Sequence, residues 1–247
     1  MHLQILYQDA HYVAIDKPPG LLVHRSPISR DRVFALQTLR DQLGRRVYPV
    51  HRLDRATSGV LIFGLSADAA RALADQFEAR MVDKEYLAVA RGWLDDSGVI
   101  DHPVADDEGN GIAQSALTRY RRLAKVELPF AVDRYPSSRY SLLSVVPETG
   151  RRQQIRKHFK HVSHHLIGDT THGNGRHNRF FRSRFDIHRL LLMSLRLGFV
   201  HPYEDIRINV QADPDEVWQN IAVLFETRLP HSPRFGPAAL RNGLDKP

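Results

Sequence analysis

Cysteine is absent from the 247 residues, which excludes a disulfide framework or a thiolate zinc site and suits a reducing compartment. No run approaches the roughly 20 apolar residues that a membrane-crossing helix needs. The N-terminal stretch MHLQILYQDAHYVAIDK has no basic region followed by an apolar core and a small-residue cleavage site, so no secretory signal is read there. A soluble, cytoplasmic chain without membrane contact is therefore expected. Neither a P-loop nor a glycine-rich dinucleotide fingerprint is present, and nothing repeats internally. Acidic residues are in deficit: 28 Asp plus Glu against 35 Lys plus Arg leave a net charge of +7. That excess favours a polyanionic partner through long-range attraction and counterion release, with nucleic acid the first candidate. With 42% hydrophobic residues the chain supports one large core. One domain is expected over 1–228, followed by an irregular tail over 229–247 that carries Pro230, Pro233, Pro237 and Pro247.

The segments LQILYQD and YVAIDKPPGLLVH read as strands around turns, with Pro18-Pro19-Gly20 making a tight reversal. FALQTLRDQL reads as a short helix. RVYPVHRL and VLIFGLS read as strands that flank the loop carrying Asp54. Ser66 is placed to cap a helix whose Ala70, Leu73, Ala74, Phe77 and Met81 form one apolar stripe. KEYLAVARGWL, ALTRYRRLAKVEL, RYSLLSVVPE, RLLLMSLRLGFVHP and DIRINV read as further strands, and ADDEGNG as an exposed connection. From Gly150 the pattern turns helical, with Ile155, Phe159 and Val162 on one face. GDTTHGNGRHNRFFRSRF shows neither the helix nor the strand period. Asp213 as cap, Pro214 and Glu216 start a last helix.

Three short segments carry the chemistry: HRLDRATSG, KEYLA and GRRQQIR. A lone carboxylate such as Asp54 in basic company is ordinarily a solvated ion-pair partner. The three segments in this order, with DKPPGLLVH before them and a leucine-rich strand ending HP after, resemble the RluA-type pseudouridine synthases. The resemblance spans residues 3 to about 227. It implies an α+β fold, a long mixed and mostly antiparallel sheet with flanking helices and a central cleft. It further implies isomerisation of a uridine in RNA without metal, redox carrier or other cofactor. Asp54 is then the essential acid, acting as nucleophile at C1′ or as base at C2′. One carboxylate is sufficient, whereas glycoside hydrolysis needs two. The resemblance gives Arg156 the position of the guanidinium that pairs with the acid and keeps it ionised. It gives Tyr86 the position of the tyrosine that lies against the uracil and is a candidate for taking the C5 proton. Arg52 matches the arginine that fills the space left by the extruded nucleotide. The small Thr57-Ser58-Gly59 turn is expected to let RNA backbone approach.

Within the family the resemblance points to a tRNA enzyme, with uridine 65 of the T-stem as target, acting as a monomer without an obligate protein partner. The alternatives are a 23S ribosomal RNA enzyme of the same family and a non-catalytic RNA-binding protein. For RNA contact, Arg176, Arg179, Arg182 and Arg184 are interleaved with Phe180, Phe181 and Phe185, which could stack on bases. A rival metal-hydrolase reading places His158, His161 and His165 on one helix face near Asp169, but the spacing fits no HExxH-type site. Two positions depart from the family pattern: Gln153 stands where histidine is common beside Arg156, and Met193 where histidine is frequent in the leucine-rich strand.

Overall fold

The computed structural model describes residues 1–25, 31–105 and 111–230. The tail from 231 onward and five residues of the ADDEGNG connection lie outside the described residues. In chain order the elements begin with strands β1 (Gln4–Gln8) and β2 (Tyr12–Lys17). Helix α1 (Ala35–Leu43), strands β3 (Tyr48–Pro49) and β4 (Ser58–Gly64), helix α2 (Ala67–Glu78) and strand β5 (Asp83–Arg91) follow. Next come β6 (Ser97–Asp101), β7 (Val104–Ala105), β8 (Ala113–Gln114), β9 (Leu117–Leu128) and β10 (Ser138–Pro147). Helices α3 (Gln154–His161) and α4 (Gly175–Phe185), strands β11 (Leu192–Val200) and β12 (Arg207–Gln211), and helix α5 (Glu216–Leu224) follow among the described residues. The α+β class and the mixed, mostly antiparallel pairing agree with the expectation from sequence.

The described residues form two compact units, one within 1–85 and 193–212 and the other within 86–192 and 213–230. In the first, β2 pairs antiparallel with β1 and β4, β3 pairs with β4, and β12 pairs with β11. β4 and β11 run parallel, with Met193 opposite Ser58 and Ser194 opposite Gly59. β4 is buried along its whole length, as its near-continuous apolar run requires. The β1–β2 turn closes on Asp9, whose carboxylate accepts from the backbone N–H groups of His11 and Tyr12 at 2.6 Å, an Asx turn. Ser66 caps α2 by accepting from Ala69 N. The buried face of α2 is Ala69, Ala70 and Leu73. Met81, placed in that stripe by period, lies past the helix end and is 58% exposed.

In the second unit β10 pairs antiparallel with β5 and β9, β9 with β6, and β7 with β8. β6 was not foreseen: SGVID is short and only Ile100 in it is buried, so no alternation marks it. α3 starts at Gln154, later than the Gly150 expected, after Gln153 in left-handed backbone (φ 54). α4 overturns the aperiodic reading of GRHNRFFRSRF. Asn174 caps it by accepting from Arg176 N and His177 N, and His177, Phe181 and Phe185 bury one face at four-residue spacing. α5 is capped by Asp215, which accepts from Trp218 N, and not by Asp213. Asp215 also takes both terminal nitrogens of Arg189 at 2.6 and 2.8 Å. Among the described residues no helix is long and apolar enough to cross a membrane.

Candidate active site

Asp54 sits where the sequence placed it, in the loop between β3 and β4. Thr57 N donates to Asp54 O at 3.1 Å, closing the turn. The loop is bound to the Pro18-Pro19-Gly20 reversal: Gly20 N donates to Arg55 O at 2.8 Å and Arg55 Nε donates to Gly20 O at 3.1 Å. Lys17, fully buried, donates through Nζ to the carbonyls of Pro18, Leu21 and Arg55 at 2.9, 2.8 and 3.2 Å. Three acceptors match the three protons of an ammonium. Burial lowers this group to about 7 against the opposing pull of the Asp54 and Asp16 carboxylates. The Lys17 amino group is thereby fixed against the loop of the candidate acid. His51 anchors the other side: its Nε2 accepts from Ile62 N at 3.3 Å, and its ring stacks on Phe77 at 4.7 Å. Burial pushes His51 down to about 3, so it stays neutral and able to accept.

Arg52 is exposed and Leu53 buried. Arg55, the other arginine beside Asp54 in sequence, pairs with Asp31 at 3.1 Å. Thr57 and Ser58 are buried. Gly59 meets protein backbone closely. A Cβ there would lie 2.0 Å from the carbonyl oxygen of Ser194, so the backbone that approaches is that of β11. Met193 is buried in β11 opposite Ser58, an apolar packing position.

Tyr86 lies on β5 opposite Val145 of β10, half-buried at the edge of the run Leu87–Ala90, which is fully buried. Arg156 lies in the first turn of α3. Its Nε and Nη2 each donate to one oxygen of Asp169 at 2.7 Å, with side-chain exposures of 6% and 1%. Asp169 also accepts from the backbone N–H groups of Thr171 and His172 at 2.9 Å. Burial acts to raise the Asp169 pKa, but Arg156 and the two backbone donors outweigh it and hold the carboxyl below its ordinary range. Gln153, the departure beside Arg156, accepts from His172 Nε2 at 2.8 Å. Burial, with Arg156 and nearby lysines, lowers the His172 pKa against the pull of Asp169.

Sequence reading missed Lys17 as the anchor of the Asp54 loop, and Asp169 and His172 as the partners of Arg156 and Gln153. For Lys17 a signal existed, because it occupies an inward position of the strand YVAIDK.

The aromatic residues proposed as base-stacking partners are largely core. Phe181 and Phe185 are buried, packing edge-on to each other at 5.2 Å, and Phe181 packs on Tyr140 at 4.8 Å. Phe180 joins the same cluster edge-on to Phe185 at 5.6 Å and also meets Phe130 at 5.5 Å. Arg184 lies over the Phe130 ring at 4.5 Å. Arg176, Arg179 and Arg182 are exposed, with Arg176 ion-paired to Asp133. The histidines of the metal alternative are spent otherwise. His158 donates to His102 O at 2.9 Å, His161 stacks on His102 at 3.5 Å, and His165 donates to His172 O at 2.8 Å. Among the described residues no group of three His, Cys, Asp or Glu side chains could hold a metal ion.

Comparison with known proteins agrees with this architecture. Residues 11–161 match the family described as RNA pseudouridylate synthase. A protein named tRNA pseudouridine synthase C from Vibrio parahaemolyticus is 44% identical over 236 residues, covering 92% of this chain and 96% of its own length. Its namesake from Pasteurella multocida is 45% identical, covering 93% and 98%. Among solved structures, human RNA pseudouridylate synthase domain containing 4 superposes with a TM-score of 0.71 at 22% identity, covering 92% of this chain and 95% of that one. Human RNA pseudouridylate synthase domain containing 1 gives a TM-score of 0.69, also at 22% identity, and covers 98% and 94%. These two share the fold. With more than half of the chain matched and relatives this similar along nearly its whole length, the chain belongs to the RNA pseudouridylate synthase family.

Proposed function

We propose that this protein converts a uridine of tRNA to pseudouridine, with uridine 65 of the T-stem as target. The observation that carries the reading is near-full-length similarity to proteins named tRNA pseudouridine synthase C, in a chain that keeps Asp54 on a loop stapled to its own scaffold. The reaction breaks the bond from ribose C1′ to N1, turns the base, and joins C1′ to C5. The C5 proton leaves and N1 regains one, so atoms balance without redox carrier, metal or cofactor. Asp54 supplies the carboxylate, either attacking C1′ or taking the C2′ proton. A rigid loop suits that role, because a reacting group held near its attack geometry has its entropy cost met in advance. Tyr86 lies against the uracil and accepts the C5 proton. Arg156 supplies guanidinium charge. Arg52 fills the stack vacated by the extruded nucleotide, and Arg176, Arg179 and Arg182 hold phosphates. The protein works as a monomer in the cytoplasm.

Asp54→Asn tests the chemistry: the variant retains tRNA in filter binding and yields no pseudouridine. Substantial product from it overturns the assignment of Asp54. Pseudouridine mapping in RNA from cells with and without the protein tests the substrate. Loss of the modification only from ribosomal RNA overturns tRNA as the target.

A further inference from the structure

Two stretches of the second unit, 153–156 and 169–172, are cross-linked twice at matching spacing. Gln153 Oε1 accepts from His172 Nε2 at 2.8 Å, and Arg156 forks onto Asp169 with two 2.7 Å hydrogen bonds. The His172 backbone N–H closes the ring by donating to Asp169 Oδ1 at 2.9 Å. Asp169 thus receives four donors, two from the guanidinium and two from its own turn. A carboxylate so occupied is poorly suited to exchange protons with a substrate. It is well suited to fix the plane of a guanidinium, because a two-point fork sets orientation as well as distance.

Stability alone does not account for the pair. A buried ion pair is often no more stabilising than apolar residues of similar volume, and this one is almost wholly buried. Orientation of Arg156 does account for it. We propose that Asp169 is a positioning residue that aims Arg156 for the isomerisation, and that the Gln153–His172 hydrogen bond braces the turn that presents it. The proposal rests on the role given to Arg156 above. It also gives the Gln153 departure a purpose, since this side chain is the acceptor that ties His172 down.

Asp169→Asn keeps the shape and removes the charge. In saturating turnover with tRNA, its kcat falls about 100-fold, as expected when a catalytic group is misplaced by about an ångström, while its Kd for tRNA is unchanged. Asp169→Glu recovers part of that kcat. His172→Phe removes the brace without stranding a buried charge, and its kcat falls less, again at unchanged Kd. Wild-type kcat in both Asp169→Asn and His172→Phe overturns the proposal, as does a loss confined to Kd. If Asp169→Asn does not fold by thermal melting, wild-type kcat in His172→Phe overturns it alone. Wild-type kcat in Arg156→Gln would instead refute the role given to Arg156, so the two failures are distinguishable.

Discussion

Gly59 shows how much one backbone position carries. Its φ is +102, a region open to glycine and strained for other residues, and a Cβ would sit 2.0 Å from Ser194 O. Strain and overpacking together place the cost of Gly59→Ala on the order of 3 kcal/mol. Gly20, at φ +84 but with nothing within 4 Å of a Cβ, incurs the strain alone, about 1–2 kcal/mol. Urea unfolding of Gly59→Ala and Gly20→Ala checks the order; equal losses would show that β11 does not press on Gly59. The sequence marked this glycine as special but attributed it to RNA. The contact with β11 was hidden for a physical reason: the partner is 135 residues away, in a parallel register that no local pattern announces. The loop position of Asp54 was legible because the two flanking strands and the segment between them are contiguous in sequence. The Asp169 fork was not, because Arg156 and Asp169 lie thirteen residues apart.

Among the elements, α4 was the least legible and carries the clearest consequence. Its arginines and aromatics hid a stripe of His177, Phe181 and Phe185, and Asn174 at the cap was the available signal. α2 was readable because apolar period and the Ser66 cap agreed, whereas α1 follows Phe34 without a side-chain cap. In α4 the buried and exposed faces separate cleanly, so Arg176, Arg179 and Arg182 can be changed without touching the core. Replacing all three with glutamine is expected to leave the thermal midpoint nearly unchanged and to weaken tRNA binding across sequences. Each lost phosphate contact flattens the slope of log K against log salt by about 0.7–0.9. Binding measured from low to high salt checks this; an unaltered slope removes these arginines from the RNA contact.

For the whole molecule, histidines held below their ordinary range are expected to shape the response to acid. Burial, aided by Arg91 and opposed by Asp133, drives His177 down to about 4, and burial drives His51 to about 3. The unfolded chain binds these protons first, near the ordinary histidine value of about 6.5. The stabilisation from keeping them neutral is complete above that value and is lost as pH falls toward the folded values. Each group costs up to about 1.4 kcal/mol per pH unit in that window. Asp169, held below its ordinary range, adds the same sign of effect only below the usual carboxylate values. Urea midpoints should therefore fall between pH 6.5 and 4.5, and less steeply in His177→Gln. Parallel curves for the two proteins would assign the acid sensitivity elsewhere.

The parallel pairing of β4 with β11 also bears on how the chain matures on the ribosome. The first unit draws on residues 1–85 and then on 193–212, so β4 emerges long before its neighbour is translated. At roughly 5–20 residues per second, the intervening stretch takes on the order of ten seconds. For that interval nascent β4 lacks one of its pairing partners, and only completion of β11 lets the unit that holds Asp54 close.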